Sequence, residues 1–138
     1  MEARRYWYVG ELFHDIVRRM LISLAQGHDL GMGTNCLGPF LLTILLEDIL
    51  KRTAQMEANI GKRKSVRVVW VSTLLHMESS NIPDGGVKFD EAGNPVQYAG
   101  MLNYMQTKCG DVHLGVEFSR KLASAGVLSI VSCFIRIL

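Results

Sequence analysis

Along the first stretch of the chain, from Met1 to Gln26, Leu12, Ile16, Met20 and Leu24 recur at steps of four, which predicts an amphipathic helix. Between Asn35 and Met56 the apolar residues Leu37, Phe40, Leu41, Ile44, Leu45 and Ile49 follow helical spacing. They predict a long helix with one buried face, bent at Pro39. The segment Val66 to Val71 is β-branched or aromatic at nearly every position, as strands covered on both faces tend to be. It reads as a central parallel strand that ends at Ser72. Breakers then crowd the stretch from Glu78 to Val96, where Pro83, Gly85, Gly86, Gly93 and Pro95 favour a surface loop. Helical spacing returns from Tyr98 to Ala123, Gly126 is placed to stop that helix, and Val127 to Val131 predicts a second strand.

Helix, strand, helix, strand with long crossovers is the pattern of a parallel α/β layer, in which ligands bind beyond the carboxyl ends of the strands. The organisation expected is a divergent helical segment over residues 1–25 followed by one α/β domain over 26–138. At 138 residues the chain is long enough for one core. A domain of about 150 residues buries roughly 70% of the surface its unfolded form exposes.

Apolar residues make up 49% and charged residues 20%, which excludes a disordered or fibrous chain. A net charge of +2 excludes little, but it gives no concentrated basic face for nucleic acid. Lys62, Arg63, Lys64 and Arg67 form the one basic patch, with no aromatic residues between them for base stacking, so a solvated loop is expected there. Cys36, Cys109 and Cys133 are odd in number, with no Cys-x-x-Cys pair and no His at zinc spacing. Buried thiols in a reducing compartment are expected, with no metal site; His14, His28, His76 and His113 are scattered. The terminus carries Arg4, Arg5, Arg18 and Arg19 without a following apolar run, so no secretion signal is read. The apolar run Gly126 to Ile135 is far short of the roughly 20 residues that span a bilayer. A cytoplasmic protein without a membrane segment is the expectation.

Tyr104 and Lys108 stand four residues apart on the last predicted helix, a spacing that places both on one face. A phenol with a pKa of about 10 is a poor acid or base near neutrality, but a neighbouring ammonium favours the phenolate. Tyr104 can then exchange a proton with an alcohol or carbonyl oxygen, while Ser72 at the strand end can hydrogen-bond the same oxygen. Pro39 lacks an N–H, so the carbonyl of Asn35, four residues back, loses its ordinary helical donor. An ordered water could connect that carbonyl to Lys108 as a proton relay.

The runs Gly33-Thr34-Asn35-Cys36-Leu37-Gly38-Pro39-Phe40, Val68-Val69-Trp70-Val71-Ser72 and Tyr104-Met105-Gln106-Thr107-Lys108 resemble, in order, the Asn-x-x-Gly helix, serine strand and Tyr-x-x-x-Lys helix of short-chain dehydrogenases/reductases. The wording is similar to that of a fungal, retinol-dehydrogenase-like branch, and the resemblance runs from about Gln26 to Val131. It implies a Rossmann-type doubly wound parallel sheet, here only the catalytic half without the first βαβ unit. It also implies hydride transfer between NADP(H), with NAD the alternative, and an alcohol or ketone, in fungal biosynthesis. On that resemblance Tyr104 is the acid/base. Lys108 lowers its pKa and binds the nicotinamide ribose, Ser72 positions the substrate, and Asn35 maintains the relay; Tyr104, Lys108 and Asn35 form the cofactor side.

The family's Thr-Gly-x-x-x-Gly-x-Gly cradle for the cofactor pyrophosphate does not precede Asn35, and both ends of the pattern look replaced or truncated. Gly27, Gly31 and Gly33 do spell Gly-x-x-x-Gly-x-Gly, but no convincing strand leads into them. Two classes therefore stand: an oxidoreductase, or a non-catalytic remnant that pairs through its two long helices, as a homodimer or with a complete relative. Simpler readings sit beside each residue: a solvated helix pair for Tyr104 and Lys108, a strand-end cap for Ser72, a helix cap for Asn35 and a small buried side chain for Cys109.

Overall fold

The computed structural model describes residues 27–62, 64–74 and 86–134. The helix expected over Met1 to Gln26 lies outside them. The first helix, α1, runs over Leu30–Asn59. It begins at Asp29, whose carboxylate accepts the Met32 N–H at 2.7 Å, a standard N-cap. Residues Gly33–Leu37 form a π-turn in which the Gly38 N–H donates to the Gly33 carbonyl, and the α-helix resumes over Gly38–Asn59. Pro39 sits just past that turn. The widened register thus falls on residues that a proline deprives of an ordinary backbone bond.

Strand β1 is Arg67–Thr73, helix α2 is Gly100–Leu122 and strand β2 is Leu128–Phe134. The strands pair in parallel, with Arg67 opposite Leu128 and Ser72 opposite Cys133. A parallel pair needs a crossover, and α2 is that crossover, packed on both strands. It passes through a short 3-10 turn and stops at Gly126, whose φ of 80° is left-handed, the conformation glycine adopts most easily at a helix end. The result is α/β, a partial Rossmann-like layer.

The core gathers Ala54, Trp70, Phe118, Leu122 and Val127. The Trp70 and Phe118 rings stack with centroids 5.3 Å apart. Helix α2 approaches the sheet closely at Gly115, where a Cβ would stand 2.3 Å from Val131 Cγ2. The Gly115 carbonyl accepts from Ser129 Oγ, which in turn accepts from Trp70 Nε1. Glu47 on α1 pairs with Lys121 of α2 and Lys51 of its own helix, each at 2.6 Å. Those hydrogen bonds, Lys121 first, hold its carboxyl below the usual range.

Three expectations need correcting. Helix α1 was expected to bury its large apolar face, yet Leu37, Phe40, Leu41, Leu45 and Ile49 are exposed, Leu45 to 69%. The fully buried side chains are Met32, Cys36, Thr43 and Ala54, while Ile44 and Leu50 pack partly buried on the core and the Phe40 ring meets Phe118 edge-on at 6.0 Å. Strand β1 is covered on one face only: Trp70 and Ser72 point inward while Val69 and Val71 remain about half exposed, 53% and 52%. Alternation, set by the strand's two-residue period, sends them to the side that no described element covers. Finally, Cys36 and Cys109 are buried thiols, but Cys133 is exposed.

Candidate active site

The inner face of β1, the α1 π-turn and the middle of α2 meet at one junction, and the four singled-out residues lie there. Ser72 is buried near the end of β1, and its hydroxyl donates to the backbone carbonyl of Lys108 at 2.8 Å. The Lys108 ammonium returns to the strand, donating to the Val71 carbonyl at 2.8 Å. It lies 5.8 Å from the centre of the half-buried Tyr104 ring, as the four-residue helical spacing allows. Asn35, inside the π-turn, donates from Nδ2 to Thr107 Oγ1 at 2.9 Å, and Thr107 donates onward to the Tyr104 carbonyl at 2.8 Å. Phenol and ammonium therefore share a face, with the serine hydroxyl bonded to the lysine backbone. The serine proton is already engaged, so giving it to a substrate oxygen requires its release from Lys108.

Several residues at this junction escaped the sequence reading. Asp111 is buried and its carboxylate accepts from Lys108 at 2.8 Å. Burial raises its pKa, while the hydrogen bond and charge of Lys108 pull it down; burial dominates. Thr107, wholly buried, relays Asn35 to the tyrosine helix. Cys36 donates its thiol to the Thr107 carbonyl at 3.1 Å. Its burial, reinforced by the charge of Asp111, pushes that thiol up to about 12. Cys109 is raised by burial too, which leaves both as packing groups. Asn103 and Gln106 are buried polar residues that fasten neighbouring segments. Asn103 donates to Asp29 at 3.0 Å and accepts the Tyr98 N–H. Gln106 accepts the Lys88 N–H at 2.9 Å and donates to the Val96 carbonyl at 2.8 Å, strapping the loop to α2. The available signal was the spacing Asn103, Gln106, Thr107, Asp111, one helical side that is polar yet buried.

The start of α1 does not form an anion cradle. The Met32 N–H at its start donates to the Asp29 carboxylate, which also takes bonds from Asn103 and Gln97, and a Cβ at Gly31 would stand 3.1 Å from Asp29 Oδ1. A phosphate there would face a negative group. The ribose end of a nicotinamide cofactor fits better, because two of the three ammonium N–H bonds of Lys108 are made within the chain and a third can be directed outward. Among the described residues no cluster of His, Cys, Asp and Glu could hold a metal ion. Of the basic patch, Lys62 lies 3.7 Å from Glu57, Lys64 and Arg67 are exposed, and Arg63 lies outside the described residues.

The chain is 37% identical over 76% of its length to a short-chain dehydrogenase/reductase of Phaeosphaeria nodorum, and 33% identical over 76% to one of Neocamarosporium betae. It belongs to the short-chain dehydrogenase/reductase family. A third relative, from Emericella nidulans and of the same description, is 34% identical over 78% of the chain. These matches cover 32%, 29% and 33% of the relatives, so the chain spans about a third of their length. No family model and no solved structure matches it. The family is one of oxidoreductases that work with nicotinamide cofactors.

Proposed function

We propose that this chain carries the catalytic half of an NADP(H)-linked oxidoreductase that interconverts an alcohol and a ketone. The observation that supports this best is the convergence of Tyr104, Lys108 and Ser72 at one strand end, with the ammonium against the phenol ring. The bound cofactor supplies or receives the hydride. Tyr104 gives a proton to the carbonyl oxygen in reduction and takes it from the hydroxyl in oxidation. Lys108 supports the phenolate by its positive charge and binds the ribose; Ser72 orients the reacting oxygen; Asn35, tied through Thr107 to the tyrosine helix, keeps the site in register. NADP is favoured over NAD by branch resemblance alone, and a role in fungal biosynthesis and a cytoplasmic setting follow from the same reading. The test is consumption of NADPH with a panel of small hydrophobic ketones: turnover abolished by Tyr104→Phe supports the proposal. No turnover with any ketone, or turnover that survives Tyr104→Phe, counts against it.

A second reading has its own observation. The outward row Leu37, Phe40, Leu41, Leu45, Ile49 and Met56 gives α1 a long exposed apolar face. By length and composition this helix could also cross a bilayer. Its Asn35, Cys36, Thr43 and Ala54 contacts build it into the α/β layer, so pairing with a second copy or a complete relative is favoured. Light scattering separates the cases: a well-folded monomer at all concentrations removes the pairing reading.

A further inference from the structure

We propose that Asp111 is a positioning residue, an internal counter-ion that fixes the Lys108 ammonium on the end of β1 and damps its charge at the Tyr104 phenol. The inference deepens the oxidoreductase reading and rests on it for its catalytic meaning, although the electrostatic claim stands alone. The Asp111 and Lys108 side chains are only 4% and 12% exposed, so their 2.8 Å contact is weakly screened by water. Desolvating a carboxylate is costly, and this one is buried against an ammonium that has a second partner, the Val71 carbonyl. The lysine is therefore held from two sides, by strand and by helix, at a fixed place beside the phenol ring.

Two charges of opposite sign this close act on a third group as a dipole rather than as a bare cation. Tyr104 feels less of the ammonium than helical spacing alone would provide, and the amount is set by Asp111. Around this pair, helix α2 contributes Tyr104, Cys109 and Asp111, β1 contributes the Val71 carbonyl and the Ser72 hydroxyl, and the α1 side contributes Cys36 and Asp29. Asp29 is already held by Met32, Asn103 and Gln97, leaving Asp111 as the carboxylate that touches the lysine.

The test is the ultraviolet phenolate titration of the full chain. Tyr104 is isolated from the other tyrosines by subtracting the same protein carrying Tyr104→Phe. Asp111→Asn keeps the shape and removes the charge, and it is expected to move the Tyr104 transition to lower pH by about one unit, the size of one nearby unit charge at an effective dielectric of about 20. In a Lys108→Met background the same change is expected to move Tyr104 in the same direction, because the field of the carboxylate at the phenol adds to that of the ammonium. No shift, or a shift to higher pH, overturns the proposal. If Asp111→Asn fails to fold, nuclear magnetic resonance of the lysine ammonium in the unaltered chain decides. A Lys108 signal that moves in one acidic step as Asp111 takes up a proton supports the counter-ion, and a signal unchanged through that range overturns it. Absence of NADPH turnover would sink the oxidoreductase reading and leave these titrations untouched.

Discussion

The two long helices reverse the usual arrangement in opposite ways. Helix α1 leaves Leu41, Leu45 and Ile49 exposed and meets the fold through Cys36, Phe40, Thr43, Ile44 and Ala54, whereas α2 buries Asn103, Gln106, Thr107 and Asp111 against α1, the loop and the strand end. Each of these four polar residues on α2 has a named partner, and no buried side-chain nitrogen or oxygen among the described residues lacks one. That is the condition under which buried polarity is tolerated. The contrast teaches that a helix's pattern reports what must eventually cover it. Apolar side chains of α1 stay uncovered among the described residues, and the buried polar side chains of α2 are held by hydrogen-bond partners.

The largest effect expected from breaking this contrast is at the buried ion pair. Asp111→Leu leaves the lysine charge without its carboxylate and should cost about 3 kcal/mol or more in denaturant unfolding, whereas adding Lys108→Met should recover most of that loss. Next comes Gln106→Ala, which removes both straps to the loop and should cost about 2 kcal/mol, with faster proteolysis between residues 86 and 99. On α1, replacing exposed Leu45 and Ile49 by lysine should change monomer stability by about 0.5 kcal/mol or less, while weakening any concentration-dependent association seen by light scattering. A loss of several kcal/mol there would mean that the face is already covered.

The remaining effects are in pH. Asp111 has a folded pKa raised above its unfolded value of about 3.9, so the folded chain binds the proton more readily. Its contribution favours folding at low pH and declines as pH rises through the interval between the two values. Asp111→Asn should remove that slope. Cys36 has the same sign in alkali: with its folded pKa near 12 against an ordinary 9.0, stability should fall as pH climbs through that interval, and Cys36→Ser should flatten the fall.

Much of this fold was legible in the chain. The long helix, the β-branched strand, the glycine stop at Gly126 and the helix bearing Tyr104 and Lys108 all follow from local periodicity and backbone preference. The cover on each face was not legible, because Leu45 reads as a core residue whichever protein surface it meets, and alternation in β1 was hidden by valines on both sides. Local spacing placed Tyr104 beside Lys108. It could not reveal Asp111 as a carboxylate brought into the dry interior, nor Thr107 as the link to Asn35, a bond that joins residues 72 apart in the chain. Buried polar networks are written in contacts between distant segments, and only a polar stripe on α2 hinted at one.

The most direct measurement is a calorimetric titration of NADPH into the full chain and into its Lys108→Met variant. Saturable binding to the unaltered chain, lost or strongly weakened in the variant, is the predicted result. No saturable binding, or equal binding to both, would contradict a cofactor-holding role for the lysine at the end of β1.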